Sequence, residues 1–219
     1  MATETETPTP NPAEVEPQGR VRLKRFAALM IPATLAGGAL VALTAQGVLA
    51  AQFSISGIAF TVTADHLNGV GFEQWGAIDA TDPSNGNPNL SDTGGQVTVV
   101  VSAIHTAKLY NFCQSVNLGA INLVLRAGRD VNHPVTGTDL VVDSDSLSGD
   151  ASFGTLEVGG DATQLNDVPG IAAPKELAGD FGQQAKTVDI YNLKQNNYAT
   201  TAGAFSLPGL SMSFQSDGC

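Results

Sequence analysis

Acidic side chains that could bind a cation are concentrated in two segments of this sequence. The candidates are Asp79, Asp82 and Asp92 in the first segment and Asp143, Asp145 and Asp150 in the second. Calcium prefers oxygen ligands of this kind. Neither segment has the ligand spacing of an EF-hand loop, and aspartate also stabilises turns without a metal, by accepting hydrogen bonds from the backbone. We interpret these residues as turn formers, keep calcium as the alternative, and expect no cofactor.

The chain lacks the usual motifs of a hydrolase. It has no G-x-S-x-G, the motif that presents a nucleophilic serine on a strand-to-helix turn. Its three histidines, His66, His105 and His133, stand singly and without the H-x-x-H spacing of a zinc site. A Ser-His-Asp triad can still assemble from distant residues, although no local pattern singles out a serine. We therefore predict no catalytic residues and keep an esterase as an alternative.

The first 50 residues predict export from the cytoplasm. Residues 1–19 are acidic and rich in proline, with too few apolar residues to fold, so we expect a disordered tail. Residues 20–50 contain a basic cluster, RVRLKR, followed by an uncharged run of 20 residues at 26–45. This pattern is typical of a signal peptide or of a transmembrane anchor. In both cases the basic residues stay inside, and residues 51–219 lie outside the cytoplasm.

Cleavage and retention of the N-terminal segment are both open. Val48 and Ala50 are placed like the residues that precede a signal-peptidase site, whereas an uncharged run of 20 residues is long for a cleaved signal. If the segment is retained, it spans the membrane as one hydrophobic helix. We therefore expect a protein that is either secreted or anchored in the membrane.

The net charge limits the classes of possible partner, and the cysteine content bears on whether the protein contains a disulfide. The chain has a formal net charge of -11 and no basic cluster beyond the N-terminal one, which argues against nucleic acid as a partner. It has two cysteines, Cys113 and Cys219. An even number of cysteines in an exported protein favours a disulfide. Unpaired thiols and a bond between two chains are the alternatives.

Alternating apolar and polar residues after position 51 predict an all-β protein. In QFSISG, for example, Phe53 and Ile55 alternate with serines, as in a strand with one buried face. Gly, Asn, Asp and Pro separate such runs, as turns require. Irregular segments are predicted at 76–95, at 159–186 and, with a short helix, at 173–185.

Two parts of the chain resemble each other. FTVTADHLNG at 60–69 matches LVVDSDSLSG at 140–149, and LYNFCQ matches IYNLKQ, in the same order and at offsets of 80 and 81 residues. We interpret them as two copies of one β unit, about 53–126 and 134–215. The repeated framework positions are Asp65, Leu67, Gly69, Tyr110 and Asn111 in the first copy and Asp145, Leu147, Gly149, Tyr191 and Asn192 in the second.

The repeated positions have a structural interpretation. We expect Leu67 and Leu147 to point inward, the aspartates to accept hydrogen bonds from backbone N–H groups, and the glycines to adopt dihedral angles that a side chain forbids. Two β units cover their apolar faces most simply by packing on each other. We therefore predict a two-repeat β-sandwich or closed β-roll, with a short β-helix as the runner-up.

The segment GFEQWG contains two large aromatic residues, Phe72 and Trp75. Side chains of this size contribute most to a hydrophobic core. We expect both in the core, and the alternative is an apolar pocket in which they contact a ligand.

Several blocks of the sequence have the pattern of a known family. They are ADHLNGVGFEQWG, SAIHTAKLYNFCQSV, TDLVVDSDSLSGDASF, YATTAGAFSLPGL and the C-terminal cysteine, after a basic and then apolar N-terminus. Together they resemble an uncharacterised actinobacterial family of exported, membrane-associated proteins. Some members have an automatic cholesterol-esterase label, which the missing G-x-S-x-G does not support here. The resemblance implies a location outside the cytoplasm, and it strengthens the pairing of Cys113 with Cys219.

These observations predict a non-enzymatic protein of the cell envelope. Its β-domain would have a structural role or bind an envelope protein or a lipid. In a second hypothesis, an apolar groove between the repeats carries a lipid or sterol, which needs a continuous cavity of roughly several hundred Å³. The third hypothesis is the esterase, which needs a Ser, a His and an Asp within hydrogen-bond distance beside a cleft.

Overall fold

Two stretches of the chain, residues 58–80 and 96–219, are described by a computed structural model. The predicted N-terminal tail, the segment 20–50, and the candidates Asp82 and Asp92 lie outside the described residues. Within the described stretches, no helix is long and apolar enough to cross a membrane.

Antiparallel β-strands dominate the described residues, which confirms the all-β prediction. The strands are β1 (Phe60–Ala80), β2 (Gln96–Tyr110), β3 (Phe112–Asn117), β4 (Asn122–Ala127), β5 (Val135–Asp161), β6 (Phe181–Thr201), β7 (Ala204–Ser206) and β8 (Ser211–Gln215). Two 3₁₀ turns, Ala162–Gln164 and Lys175–Leu177, lie between β5 and β6. The runner-up β-helix is wrong, because the rungs of a β-helix pair in parallel and each described strand pair is antiparallel.

The predicted irregular segments are shorter than expected. β1 continues to Ala80, so residues 76–80 belong to a strand rather than to a loop. The short helix predicted at 173–185 is wrong: only Lys175–Leu177 forms a 3₁₀ turn, and β6 already begins at Phe181. Hydrogen bonding to two neighbouring strands stabilises β6 here, where two glycines make a helix unfavourable.

The four long strands pair in a closed ring. β1 pairs with β2 along one edge and with β6 along the other, and β5 also pairs with both β2 and β6. Outside the ring, β3 pairs with the start of β1, β4 pairs with β3, and β8 pairs with β4, while β7 pairs with β5. Closure gives both edges of β1 hydrogen-bond partners that an edge strand would lack.

The ring is strongly staggered. Cross-strand partners lead from Phe60 on β1 to Asn197, Ser144, Val100 and back to Gly76, which lies 16 residues further along β1. The diameter of a closed sheet grows with strand number and with stagger, so four strands without stagger would leave no room for side chains. The stagger widens the ring, and its interior therefore holds a hydrophobic core.

Buried apolar residues form two clusters, one on each face of β1. The first lies inside the ring and contains Phe72, 3% exposed, with Leu67, Ile104, Val188 and Leu193 among others. The second contains Trp75, 4% exposed, with Val99, Val101, Ala103 and residues of the segment 162–177. Phe72 and Trp75 are three residues apart, so strand alternation puts them on opposite faces. Both aromatic rings are buried, as the core interpretation expects.

The two repeated leucines differ in burial. Leu67 is 4% exposed and Leu147 is 38% exposed, so the two repeated positions are not equally buried. Register shifts between β5 and β6 occur on both sides of Leu147, at Ser144/Ser146 and Ser148/Asp150. Beyond Ser144, β5 pairs only with β6. From this point β5 has one described neighbour instead of two, which leaves Leu147 more exposed than Leu67.

The two repeated glycines are required for different reasons. A side chain at Gly69 would place its Cβ 2.8 Å from Val188 Cγ1 and 2.9 Å from Ile104 Cγ2. Gly149 has φ +154°, and a Cβ there would lie 2.6 Å from Ile190 Cγ2. The predicted special dihedral is therefore found at Gly149 but not at Gly69. Gly69 instead lets side chains of β2 and β6 pack against the backbone of β1.

Cys113 and Cys219 form a disulfide, which confirms that prediction. Their Cα atoms are 5.9 Å apart across a sequence separation of 106 residues. The backbone N–H of Cys219 also donates a hydrogen bond to Ser115 Oγ at 3.0 Å. The bond and this contact hold the C-terminal tail against β3.

Replacing both cysteines by serine should lower the free energy of unfolding by about 2–5 kcal/mol, because the open chain regains the entropy of the loop. Urea unfolding of the full chain, followed by Trp75 fluorescence and circular dichroism, measures this change. Reduced wild-type protein is the control and should match the variant. An unchanged unfolding midpoint in the variant would contradict a stabilising role for the disulfide.

Gly69→Ala should lower the free energy of unfolding by about 1–3 kcal/mol, because the new methyl group overpacks the core. Gly76→Ala is the matched control on the same strand, since a Cβ there meets nothing within 4 Å. Its effect should stay within about 0.5 kcal/mol. Thermal and urea unfolding of both variants measure the difference, and equal effects would refute the packing explanation.

Candidate functional site

Three aromatic rings stack in a row on the outer side of the ring of strands. His66 on β1 lies directly opposite Tyr110 on β2 and Tyr191 on β6. The centroids of the His66 and Tyr191 rings are 4.1 Å apart with an interplanar angle of 1°, and those of His66 and Tyr110 are 5.3 Å apart at 12°. Tyr191 is 53% exposed, while Leu67 beside His66 is buried, so alternation puts the stack on the outer face. We call these three residues the Tyr–His–Tyr row.

A carboxylate holds the imidazole of this row. Asp189 Oδ1 accepts a hydrogen bond from Asn68 Nδ2 at 2.9 Å and lies 2.9 Å from His66 Nε2. The hydrogen bond from Asn68, followed by that from His66, lowers the pKa of Asp189. Asn68 is two residues from His66, and Asp189 is two from Tyr191, so all of them project from the same face. Asp189 therefore carries its charge at neutral pH beside the stacked rings.

Two asparagines flank the row in a left-handed backbone conformation. Asn111 (φ 53°) follows Tyr110, and Asn192 (φ 54°) follows Tyr191. Asparagine tolerates this conformation better than most residues, which explains why it recurs after each tyrosine. Asn111 Nδ2 donates a hydrogen bond to Asp65 at 3.1 Å, and Asn192 Nδ2 donates one to Asp150 at 2.8 Å.

The repeated aspartates do not have their predicted roles. Asp65 accepts its hydrogen bond from a side-chain amide rather than from a backbone N–H. Asp145, its match in the sequence, accepts hydrogen bonds from Asn196 Nδ2 at 2.9 and 3.0 Å and from Tyr198 Oη at 3.3 Å. The second asparagine binds Asp150 instead, because the register shifts in β5 displace this strand relative to β6. The structure thus brings Asp65, Asp150 and the two Tyr-Asn pairs to one surface.

The other two histidines also contact aspartates. His105 Nδ1 lies 2.8 Å from Asp139 Oδ1, and His133 Nδ1 lies 2.8 Å from Asp130 Oδ2. The hydrogen bond from His133 is the main cause that lowers the pKa of Asp130. Among the described residues, no hydrogen bond joins a histidine to a serine hydroxyl.

Two of the calcium candidates form a carboxyl pair. Asp79 on β1 and Asp143 on β5 share a hydrogen bond, and burial raises the pKa of both. Burial and then the negative charge of Asp79 raise the pKa of Asp143 to about 6. One shared proton accounts for the contact, because two adjacent carboxylates repel each other. No group of three or more His, Cys, Asp and Glu side chains in the described stretches could hold a metal ion.

A buried glutamate ties the segment 162–177 to the sheet. Glu73 on β1 is 0% exposed, and its Oε1 atom accepts a hydrogen bond from the backbone N–H of Val168 at 2.7 Å. Burial is the main cause that raises the pKa of Glu73. The segment covers Trp75 and the rest of the second cluster, so these residues are closed to a ligand from outside.

The interior of the ring contains a small cavity. Water-sized molecules could occupy about 40 Å³ of it, while the total empty space between its lining atoms, about 590 Å³, includes space open to solvent. Phe72 and Leu147 line this cavity, as does Asn197, whose buried Oδ1 atom lacks a hydrogen-bond partner among the described residues. The smaller volume is the space available to water, and it corresponds to a few water molecules. It is much smaller than the cavity expected of a lipid carrier.

Sequence reasoning identified the tyrosines and asparagines of this surface but not His66, Asn68 or Asp189. The repeated Tyr-Asn pair was the signal for the first group. His66 and Asn68 are separated from Asp189 by 123 and 121 residues, so no local pattern joins them. The only available signal was that polar His66 and Asn68 alternate with apolar residues along one strand.

A family model matches residues 56–219 of the chain, and it is described as a family of unknown function, DUF6230. The chain belongs to this family. The match confirms the resemblance to an uncharacterised family, whereas the actinobacterial origin and the cholesterol-esterase label stay predictions. No curated protein and no solved structure matches this DUF6230 protein.

Asp143→Asn should stabilise this DUF6230 protein at pH 7.5 and have little effect at pH 4. The raised pKa means that the folded state binds a proton more tightly than the unfolded chain, so wild-type stability falls as the pH rises from about 4 to about 6. The neutral amide removes that loss, which is at most about 3 kcal/mol, since one pKa unit corresponds to about 1.4 kcal/mol. Urea unfolding at both pH values measures the change.

Asp189→Asn is the control, and its effect on the stability at pH 7.5 should have the opposite sign. The pKa of Asp189 is lowered, so its contribution to stability is present at neutral pH and is lost as the pH falls through that pKa. This variant should be less stable than wild type at pH 7.5 and approach it in acid. An Asp143→Asn variant that is less stable than wild type at pH 7.5 would contradict the carboxyl-pair interpretation.

Proposed function

We propose that this protein is an exported β-domain, secreted or anchored in the membrane, that binds a polar component of the cell envelope through the Tyr–His–Tyr row. The stack of three rings from three strands on the outer face is the observation that carries the proposal. Tyrosine is enriched in binding surfaces because its ring gives apolar contact and its hydroxyl gives a hydrogen bond. Stacking also holds the rings in place, so binding costs little side-chain entropy.

The charges around the row indicate the chemistry of the partner. Three carboxyl groups belong to residues next to the row: Asp189 contacts His66, Asp65 precedes His66 in the chain, and Asp150 lies opposite Tyr191 on β5. They accept hydrogen bonds from Asn68, Asn111 and Asn192, respectively. An anionic partner would be repelled by these groups. A partner rich in O–H or N–H donors, such as a neutral glycan or a basic peptide segment, fits the surface.

Export has two lines of support. The uncharged run at 26–45 follows a basic cluster, as in signal peptides and N-terminal anchors. The disulfide between Cys113 and Cys219 is a bond that persists mainly outside the reducing cytoplasm. These features favour a location outside the cytoplasm, with contact to the membrane if the segment is retained.

The alternatives have weaker support. A lipid or sterol carrier needs an interior much larger than the small cavity of about 40 Å³. An esterase needs a serine hydroxyl within hydrogen-bond distance of a histidine, and the hydrogen bonds of the three histidines in the described stretches go to aspartates and not to a serine. We therefore favour a binding role at the outer surface without catalysis.

We also propose that the domain arose by internal duplication. β1 with β2 and β3, and β5 with β6, form two long antiparallel hairpins. In each hairpin an asparagine follows a tyrosine, has a φ near +54°, and binds an aspartate of the preceding long strand. Such a shared local geometry favours a common origin of the two hairpins.

A photo-crosslinking residue at Lys194 should capture a discrete envelope partner in intact cells. Lys194 is exposed and lies three residues from Tyr191 on β6, so the substitution leaves the row intact. The matched control is Phe181 on the same strand, which is 60% exposed and lies far from the row. p-Benzoylphenylalanine is placed at either position of the full chain, and adducts are identified by mass spectrometry.

The adduct at Lys194 should fall at least tenfold when His66 and Tyr191 are both replaced by alanine, with the fold checked by circular dichroism. Adducts that are the same at both labelled positions, or that survive the double replacement, would refute binding through the row. Fractionation of the same cells tests export separately, since the protein should be found in the envelope or the medium with its disulfide formed.

A further inference from the structure

Large apolar side chains are exposed at the end of the sheet where β1 begins. Phe60, Val116, Leu123 and Phe214 lie directly opposite one another on β1, β3, β4 and β8. Five apolar side chains at or near these four positions are exposed: Ile58 (47%), Leu118 (52%), Ile121 (44%), Met212 (60%) and Phe214 (65%). We call these last five residues the apolar tip.

Charged side chains are scarce around the apolar tip, where Asp217 follows shortly after the end of β8. The three segments that build it, 58–64, 112–125 and 204–216, contain no Asp, Glu, Lys or Arg. The described residues as a whole contain 15 acidic and 6 basic side chains. An apolar end with few charges on an otherwise acidic domain is unusual for a surface in contact with water only.

The position of the apolar tip in the chain indicates what covers it. Residue 45, the last of the uncharged run, is separated from Phe60 by 14 residues. Even fully extended, 14 residues span at most about 50 Å. If the run 26–45 is held in a bilayer, the connection lets the start of β1 reach the lipid surface and limits its distance from the end of the run to about 50 Å.

We propose that the apolar tip docks on the surface of the lipid bilayer that holds residues 26–45. The inference rests on the anchored form of the proposed function. Lipid contact removes these five side chains from water, and none of them carries a charge. The acidic remainder of the domain is repelled by anionic headgroups, so the tip faces the membrane and the Tyr–His–Tyr row stays accessible.

A bilayer fits the tip better than a second copy of the chain. Five partly exposed side chains present on the order of a few hundred Å² of apolar surface. A stable protein dimer usually buries about 800 Å² on each partner. Attachment of the domain to the membrane makes docking on lipid an intramolecular step with a high effective concentration, so a small surface is sufficient.

The test uses the full, uncleaved chain in phosphatidylcholine nanodiscs that hold one chain each. Hydroxyl-radical labelling, read by mass spectrometry, gives the protection of each side chain relative to the urea-unfolded chain. Phe214 is compared with Phe181, because they are 65% and 60% exposed and lie at opposite ends of the sheet. We expect Phe214 to be labelled at least fivefold more slowly than Phe181 after this correction.

A pair of variants provides the control. Met212→Asp with Phe214→Asp should raise the labelling of Leu118 and Ile121 several-fold in nanodiscs, whereas Phe181→Asp should leave it unchanged. These residues are exposed, so the fold should tolerate the changes, and thermal unfolding checks this.

Three other results of the labelling experiment would contradict either the docking of the apolar tip or the membrane anchor. Equal labelling of Phe214 and Phe181 in chains that have inserted overturns the docking. Protection that occurs only when two chains share one disc indicates contact between copies and also overturns it. A chain that fails to insert into the discs refutes the anchor in the proposed function, and the docking falls with it.

Discussion

Pairing of β1 along both of its edges is the constraint on which the rest of this domain depends. β1 has 21 residues, and its backbone groups bond to β2 and β3 on one side and to β6 on the other. Buried backbone groups must be paired, and β5 completes the ring by pairing with both β2 and β6. The stagger of this ring then creates an interior wide enough for Phe72 and its neighbours.

The same closure determines the surfaces of the domain. Because β1 lies between β2 and β6, His66 is held between Tyr110 and Tyr191, and Asp189 can reach it from β6. Further along β1, the outer face at Trp75 is covered by the segment 162–177, from which the buried Glu73 accepts a backbone hydrogen bond donated by Val168. One strand therefore connects the interior, the Tyr–His–Tyr row and, at its first residues, the apolar tip.

The accuracy of sequence reasoning differed between local and long-range features. Strand alternation is a local property, so the all-β class and the opposite faces of Phe72 and Trp75 could be derived from spacing. The matching of Asp145 to Asp65 failed because β5 changes register beside Leu147, which moves Asp150 next to Asn192. The repeated pattern predicts a special dihedral for Gly69, whereas the structure requires a glycine there because Val188 and Ile104 approach its backbone from neighbouring strands.

Residue types and their spacing are enough to predict which segments form strands and that the net charge is acidic. These properties depend on single residues and their near neighbours. Two contacts follow only from the three-dimensional arrangement of the strands: His66 meets Asp189 across 123 residues, and Asn192 meets Asp150 rather than Asp145. Such pairs depend on the stagger of a closed ring, which arises from hydrogen bonding among four strands at once and has no local sequence pattern.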